Sequence, residues 1–133
     1  MSHVETIAAG GRLCCYIVRG SFLPQQTTFV TPPEAIQQVG FIVREKGGNV
    51  ARHVHKPVER KIVGTPEVLV VRSGKCEIDL YNEAMEIVAT RELVTGDVVL
   101  LLSGGHGFRM LDDTTLMEVK QGPYVGYDDK VLF

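Results

Sequence analysis

The sequence predicts an all-β protein built from short antiparallel strands. Strand-forming runs rich in Val, Ile and Leu recur between residues 39 and 120 at intervals of about ten residues. Turn residues such as Ser73-Gly74 and Thr95-Gly96-Asp97 separate these runs. Apolar and acidic side chains alternate in residues 76–81, CEIDLY, as they do in a strand with one buried face. Many short strands of this kind are typical of an antiparallel sandwich or barrel.

The first strand is predicted at residues 13–19, LCCYIVR, between Gly10-Gly11 and Gly20. Three prolines then break up residues 21–33, which leaves room for a short strand at 27–31 and one helical turn at 33–38. From there onward the strand signal is uniform. Further strands are predicted at 39–44, 50–55, 67–72, 76–81, 86–94, 98–102, 107–111 and 116–120.

Length and composition indicate one domain of ordinary size. The chain has 133 residues, of which 44% are hydrophobic and 23% charged, so it has enough apolar residues to form a core. No linker or repeat divides it, and we expect a single domain over 1–133. Within it, residues 1–38 provide an N-terminal strand and loop, residues 39–120 form the barrel, and residues 121–133 form a tail that docks through its apolar side chains.

The charge pattern and the cysteines limit the binding partners and the cellular location that we expect for this protein. Lys and Arg (14) are interspersed with Asp and Glu (16), and the net charge is −2, so we expect no nucleic-acid partner. No apolar run approaches the roughly 18 residues that span a bilayer, so we expect no membrane association. Three cysteines make no disulfide framework, and the N-terminus does not resemble a secretory signal. The cytoplasm is therefore the expected location.

The pattern His53-Val54-His55 is the first candidate for chemistry. Side chains alternate between the two faces of a strand, so a strand at 50–55 would place both imidazoles on one side. Two converging imidazoles are either a polar surface pair or half of a metal site. Glu67 at the start of a predicted strand and His106 after a glycine-rich turn could complete such a site across a barrel.

The spacing of these residues resembles the two sequence motifs of the cupin family. Gly47 is followed after five residues by His53-Val54-His55, and Glu67 is followed after six residues by Gly74. Residues 96–108, GDVVLLLSGGHGF, resemble the second motif, with His106 as its ligand. The resemblance covers roughly residues 47–110. It implies a small single-domain cupin: a double-stranded β-helix, or jelly roll, that binds one divalent metal through His53, His55, Glu67 and His106.

Two glutamates compete for the carboxylate position. The family leaves three or four residues between the second His and the Glu, which fits Glu59, whereas eleven residues lie between that His and Glu67. We prefer Glu67, because it keeps the spacing to Gly74 and begins an apolar strand, and we treat residues 56–66 as an insertion. The second motif also departs from the family, with Leu102 in place of Pro, one residue fewer before His106, and Met110 in place of Asn.

The resemblance implies a metal-dependent enzyme that acts on a small polar or anionic metabolite, either a dioxygenase or a metal-assisted isomerase or epimerase. Three imidazoles and one carboxylate suit Fe, Mn, Ni, Co, Zn or Cu, and leave about two positions open on a six-coordinate ion. Glu59 is then a candidate base. The alternative is a non-catalytic module that binds or senses a small molecule. Cupins commonly pair, so a homodimer is also expected.

Overall fold

The computed structural model describes residues 3–133, except for the side chains of Tyr127 and Asp128. It is an all-β structure of antiparallel strands, as the sequence predicts. The strands are β1 (Val4–Ala9), β2 (Arg12–Val18), β3 (Thr28–Phe29), β4 (Gly40–Phe41), β5 (Glu67–Ser73), β6 (Lys75–Tyr81), β7 (Ile87–Val94), β8 (Val98–Leu101), β9 (Gly105–Met110) and β10 (Thr115–Lys120). A short 3-10 helix follows at Gly126–Asp129. Within the described residues, no helix has the length and apolar character to cross a membrane.

The chain divides into two compact units. The first unit comprises residues 3–22 and 65–133, and the second comprises residues 23–64. In the first unit, a five-stranded sheet has the order β1-β2-β8-β5-β10, and a three-stranded sheet has the order β7-β6-β9. Every pairing between neighbouring strands is antiparallel.

A hydrophobic core joins the two sheets of the first unit. Ile17 and Val99 of the five-stranded sheet and Ile78 of the three-stranded sheet belong to one buried cluster, and each is 0% exposed. Because side chains alternate along a strand, each sheet contributes one face to this core. We call these faces the inner faces of the two sheets. Any side chain in register with a core residue therefore points between the sheets.

Strand β6 confirms the predicted alternation, with one addition. Cys76, Ile78 and Leu80 are buried in the core, as expected. Asp79 lies on the opposite face but is only 6% exposed, because Arg109 and Thr90 enclose its carboxylate. Thr90 Oγ1 donates a hydrogen bond of 2.6 Å to Asp79 Oδ1, and the Arg109 guanidinium donates to both carboxylate oxygens. An ion pair thus buries a carboxylate that the pattern alone would leave in solvent.

A strand that the sequence did not predict, β1, precedes the first predicted one. Its six residues pair with β2 through the two-residue turn Gly10-Gly11. Both glycines have positive φ, +59° and +77°, which a tight hairpin turn between twisted strands requires. The sequence predicts the two glycines as the boundary of a strand, whereas in the structure they form the turn of a hairpin.

The second unit differs most from prediction. The strand predicted at 39–44 is reduced to β4, which pairs with β3 over two residues only. The strand predicted at 50–55 is absent, since residues 48–63 contain no strand, and Val54 is 91% exposed. Apolar composition made this segment resemble a strand, but it lacks the hydrogen-bonded neighbour that a strand needs. Residues 33–38 form turns and bends rather than a helical turn.

Within the first unit, part of the C-terminal tail (residues 121–133) contacts the sheets. The Phe133 ring packs edge-on against Tyr81, with ring centroids 5.0 Å apart and planes at 89°. The Lys120 ammonium lies 5.5 Å from the centre of the Tyr124 ring. Tyr124 and Leu132 are nevertheless about four-fifths exposed, at 79% and 81%. The tail therefore contacts the sheets through a few side chains.

Candidate functional site

Glu67 lies on the inner face of the five-stranded sheet. It begins β5 and pairs with Leu101 of β8, a core residue. Two and four residues further on, Leu69 and Val71 point the same way and are 7% and 2% exposed. The period of the strand therefore directs the Glu67 carboxyl group between the sheets.

His106 reaches the same space from the other sheet. It lies on β9 opposite Leu80, which is 1% exposed in the core, and the His106 ring contacts Phe108 at a centroid distance of 6.0 Å. His106 Nε2 is 3.9 Å from Glu67 Oε1. The structure thus brings together two of the residues that the sequence singled out, from strands almost forty positions apart in the chain.

A third side chain, Glu118, joins them and was missed from the sequence. It lies on β10 opposite Leu69, so it also projects from the inner face. Glu118 and Glu67 share a side-chain hydrogen bond. The signal that could have found it is the alternation of residues 116–120, which places Leu116, Glu118 and Lys120 on one face.

The protonation of this cluster follows from its surroundings. Burial, followed by the hydrogen bond and the charge of Glu118, raises the pKa of Glu67 to about 7. Donation of that hydrogen bond by Glu67 lowers the pKa of Glu118, which is thus the ionised partner. Burial also lowers the pKa of His106. Near neutral pH, the contact between His106 and Glu67 therefore joins a neutral imidazole to a carboxyl group that remains partly protonated.

The other two predicted ligands, His53 and His55, form a pair in the second unit. Both are exposed, and their rings meet edge-to-face with centroids 5.2 Å apart. The backbone there is irregular, so the pair does not arise from strand alternation. His53 Nδ1 lies 2.7 Å from the carbonyl oxygen of Ala51. Because a carbonyl can only accept, Nδ1 carries a hydrogen, and in the neutral ring the lone pair is left on Nε2.

Glu59, the competing carboxylate, is exposed on the second unit. Among the residues that the structure describes, it takes part in no hydrogen bond or ion pair. Over the same residues, no group of three or more His, Cys, Asp or Glu side chains is placed to hold a metal ion. The histidine pair 53/55 and the pair Glu67–His106 belong to different units, and the four-ligand metal site stays a prediction.

Comparison with protein-family models, with curated proteins and with solved structures finds no match to this chain. What is established is an all-β fold of antiparallel sheets, with two polar pairs among the predicted site residues.

Proposed function

We propose that this chain is a metal-binding cupin, with a jelly-roll barrel, in which His53, His55, Glu67 and His106 bind one divalent metal ion. The observation that carries the proposal is the approach of His106 Nε2 to Glu67 Oε1, 3.9 Å apart, from the inner faces of two different sheets. Ionisable groups whose pKa values are shifted by burial cluster at functional sites, and burial shifts the pKa values of both Glu67 and His106.

The chemistry of the described side chains fits such an ion. An imidazole nitrogen and a carboxylate oxygen are both ordinary ligands of divalent transition metals, and His106 and Glu67 would supply one of each. The lowered pKa of His106 keeps its ring neutral, which is the form that binds metal. The hydrogen bond of His53 Nδ1 to a backbone carbonyl is typical of a ligating histidine.

We propose that the site acts on a small polar or anionic metabolite, as a dioxygenase or a metal-assisted isomerase or epimerase. A bound divalent metal would supply a Lewis acid with open positions for substrate or dioxygen. Glu118 shares a hydrogen bond with Glu67 beside the inward-facing His106. Because a ligating carboxylate is deprotonated, metal binding would displace the proton that Glu67 holds in the metal-free protein. Glu59 stays a candidate base, as the sequence suggests.

Metal analysis followed by a turnover screen tests the proposal. We expect about one transition-metal ion per chain after purification without chelator, and loss of that ion in the His106→Ala variant. Dioxygen uptake should then be screened across small carboxylic acids and catechols, and epimerisation across sugar and keto-acid substrates. Absence of metal binding would contradict the proposal as a whole. Metal binding without turnover would favour the non-catalytic sensing module instead.

We also propose that the chain forms a homodimer, as the family resemblance implies. Strands β1 and β10 are the two edge strands of the five-stranded sheet, and Met117 and Val119 of β10 are 42% and 51% exposed. An apolar edge strand is a template for pairing with another chain. Sedimentation equilibrium tests the assembly, and a mass of one chain at micromolar concentration would contradict it.

A further inference from the structure

The second unit contains a cavity of about 440 Å³ that none of the predicted metal ligands lines. Residues from two segments, 33–38 and 60–62, form its walls. Sites for small molecules typically enclose about 300–1,000 Å³, so the cavity has the size of a metabolite site. Its lining belongs entirely to residues 23–64.

The Gln38 side chain fixes one wall. Its Nε2 donates hydrogen bonds of 2.9 Å to the carbonyl oxygens of Pro32 and Ala35, and its Oε1 accepts one of 2.7 Å from the Thr31 hydroxyl. Thr31 is only 5% exposed, so this network is anchored inside the unit. The wall is therefore preformed, and the amide of Gln38 is already occupied by the protein itself.

The charged side chains that line the cavity, in contrast, have no polar partner among the residues that the structure describes. Arg60, Lys61 and Glu34 line it, and in the part of the chain that the structure describes none of the three takes part in a hydrogen bond or ion pair. Two cations against one carboxylate leave the lining with a net positive charge. Guanidinium and ammonium groups bind carboxylates and phosphates through charge-assisted hydrogen bonds, and the planar guanidinium can make two such bonds in parallel.

The cavity also exposes apolar surface. Ile36 lines it and is 50% exposed, and Ile62 from the opposite segment is half-buried. Binding of an apolar ligand group against these side chains is favourable, because it removes their surface from water. A bare inorganic anion would leave this surface in water.

We infer that this cavity binds a small organic anion, with its carboxylate or phosphate group on Arg60 and Lys61 and its apolar portion against Ile36 and Ile62. The inference does not rest on the proposed metal function, because the cavity shares no residue with the predicted ligands. It assigns a role to residues 60–62, which lie between the two candidate glutamates, Glu59 and Glu67, in the sequence.

Backbone amide NMR on the full chain tests the inference. The probes are two organic anions, isovalerate and isoamyl phosphate. Isoamyl alcohol is the control ligand without charge, and inorganic phosphate is the control ligand without an apolar group. Both organic anions should shift the amide signals of residues 34–38 and 60–62 saturably, and the alcohol should not. Preference for one anion over the other identifies the head group. Equal or tighter binding of inorganic phosphate would overturn the apolar part of the inference.

Two double variants distinguish binding in this cavity from nonspecific attraction of the anion to surface charge. The double substitution Arg60→Gln with Lys61→Gln should weaken isovalerate binding about tenfold, which corresponds to the loss of one charge-assisted hydrogen bond. The control, Lys46→Gln with Arg52→Gln, removes two exposed cations of the same unit that do not line the cavity, and should leave binding unchanged. Equal weakening in both pairs, or no saturable shift in the unmodified protein, would overturn the inference. Binding that persists in His106→Ala would separate it from the metal site.

Discussion

His106 and Glu67 lie opposite each other on the inner faces of two different sheets, with Nε2 and Oε1 3.9 Å apart. His106 is in register with Leu80 and Glu67 with Leu101, two buried members of the core. The same strand periodicity that builds the core therefore brings a basic and an acidic side chain together beside it. This relationship is the basis of the predictions that concern the metal site.

The contribution of Glu67 to the stability of the metal-free protein should fall as pH rises from about 4.5 through about 7. The pKa of Glu67 is raised from 4.5 to about 7, so the folded state holds this proton more tightly than the unfolded state. The stabilisation is complete below the unfolded pKa and is lost as pH rises through the folded value. Urea unfolding at a series of pH values with a chelator present measures it. Glu67→Gln should flatten the profile, and an unchanged slope in that variant would contradict the assignment.

Removing the carboxylate of Glu118 should lower the pKa of Glu67. Burial is the largest cause of its raised pKa and persists in Glu118→Gln, whereas the charge of Glu118 is removed. We expect the titration midpoint of Glu67 to fall below about 7 without returning to 4.5. Carboxyl ¹³C NMR titration follows it directly. Glu45→Gln, at an exposed position of the second unit, serves as the control and should leave the midpoint unchanged.

Asp97→Ala should destabilise the fold by about 3 kcal/mol, because it leaves buried partners without their acceptor. Asp97 is 2% exposed, accepts hydrogen bonds of 2.9 Å from the amides of Gly20 and Val94, and pairs with Arg19 at 2.9 Å. It therefore ties the turn before β8 to the end of β2. Denaturant unfolding measures the change. Asp112→Ala, at an exposed turn, should stay within about 0.5 kcal/mol of the unmodified protein, and a similar loss in both would refute this role.

The three cysteines should react with a thiol reagent only after unfolding. Cys14, Cys15 and Cys76 are free and buried, with exposures of 3%, 0% and 0%. Burial raises the pKa of Cys15 to about 12 and also raises that of Cys76, so neither forms a thiolate readily. Ellman's reagent should titrate no thiol in the native protein and all three in denaturant. Fast reaction of Cys76 in the native state would show that the core opens there.

Much of the first unit could be predicted from the sequence, because its strands obey a simple period of two. The alternation of residues 76–81 identified the buried face of β6, and the strands from β5 onward lie close to their predicted positions. The hairpin β1–β2 was missed because Gly10-Gly11 reads equally well as a boundary or as a two-residue turn. Local pattern does not reveal which of these applies.

The rest depends on contacts between distant residues, which local patterns do not contain. Asp79 is buried because Arg109, thirty positions away, pairs with it. Glu118 joins Glu67 because β10 is the antiparallel neighbour of β5. Residues 50–55 have strand-like composition without a strand partner, so the prediction there was wrong although the two histidines still meet. Pairing partners, rather than propensity, decide these cases.

Cobalt(II) binding to the unmodified protein and to the two glutamate variants tests the central claim most directly. Titration followed by the visible absorption of protein-bound cobalt should give one ion per chain in the unmodified protein and in Glu59→Gln. In Glu67→Gln the affinity should fall by at least about tenfold, because the variant loses a charged ligand on the inner face beside His106. Unchanged binding in Glu67→Gln together with loss in Glu59→Gln, or no binding to the unmodified protein, would contradict the account.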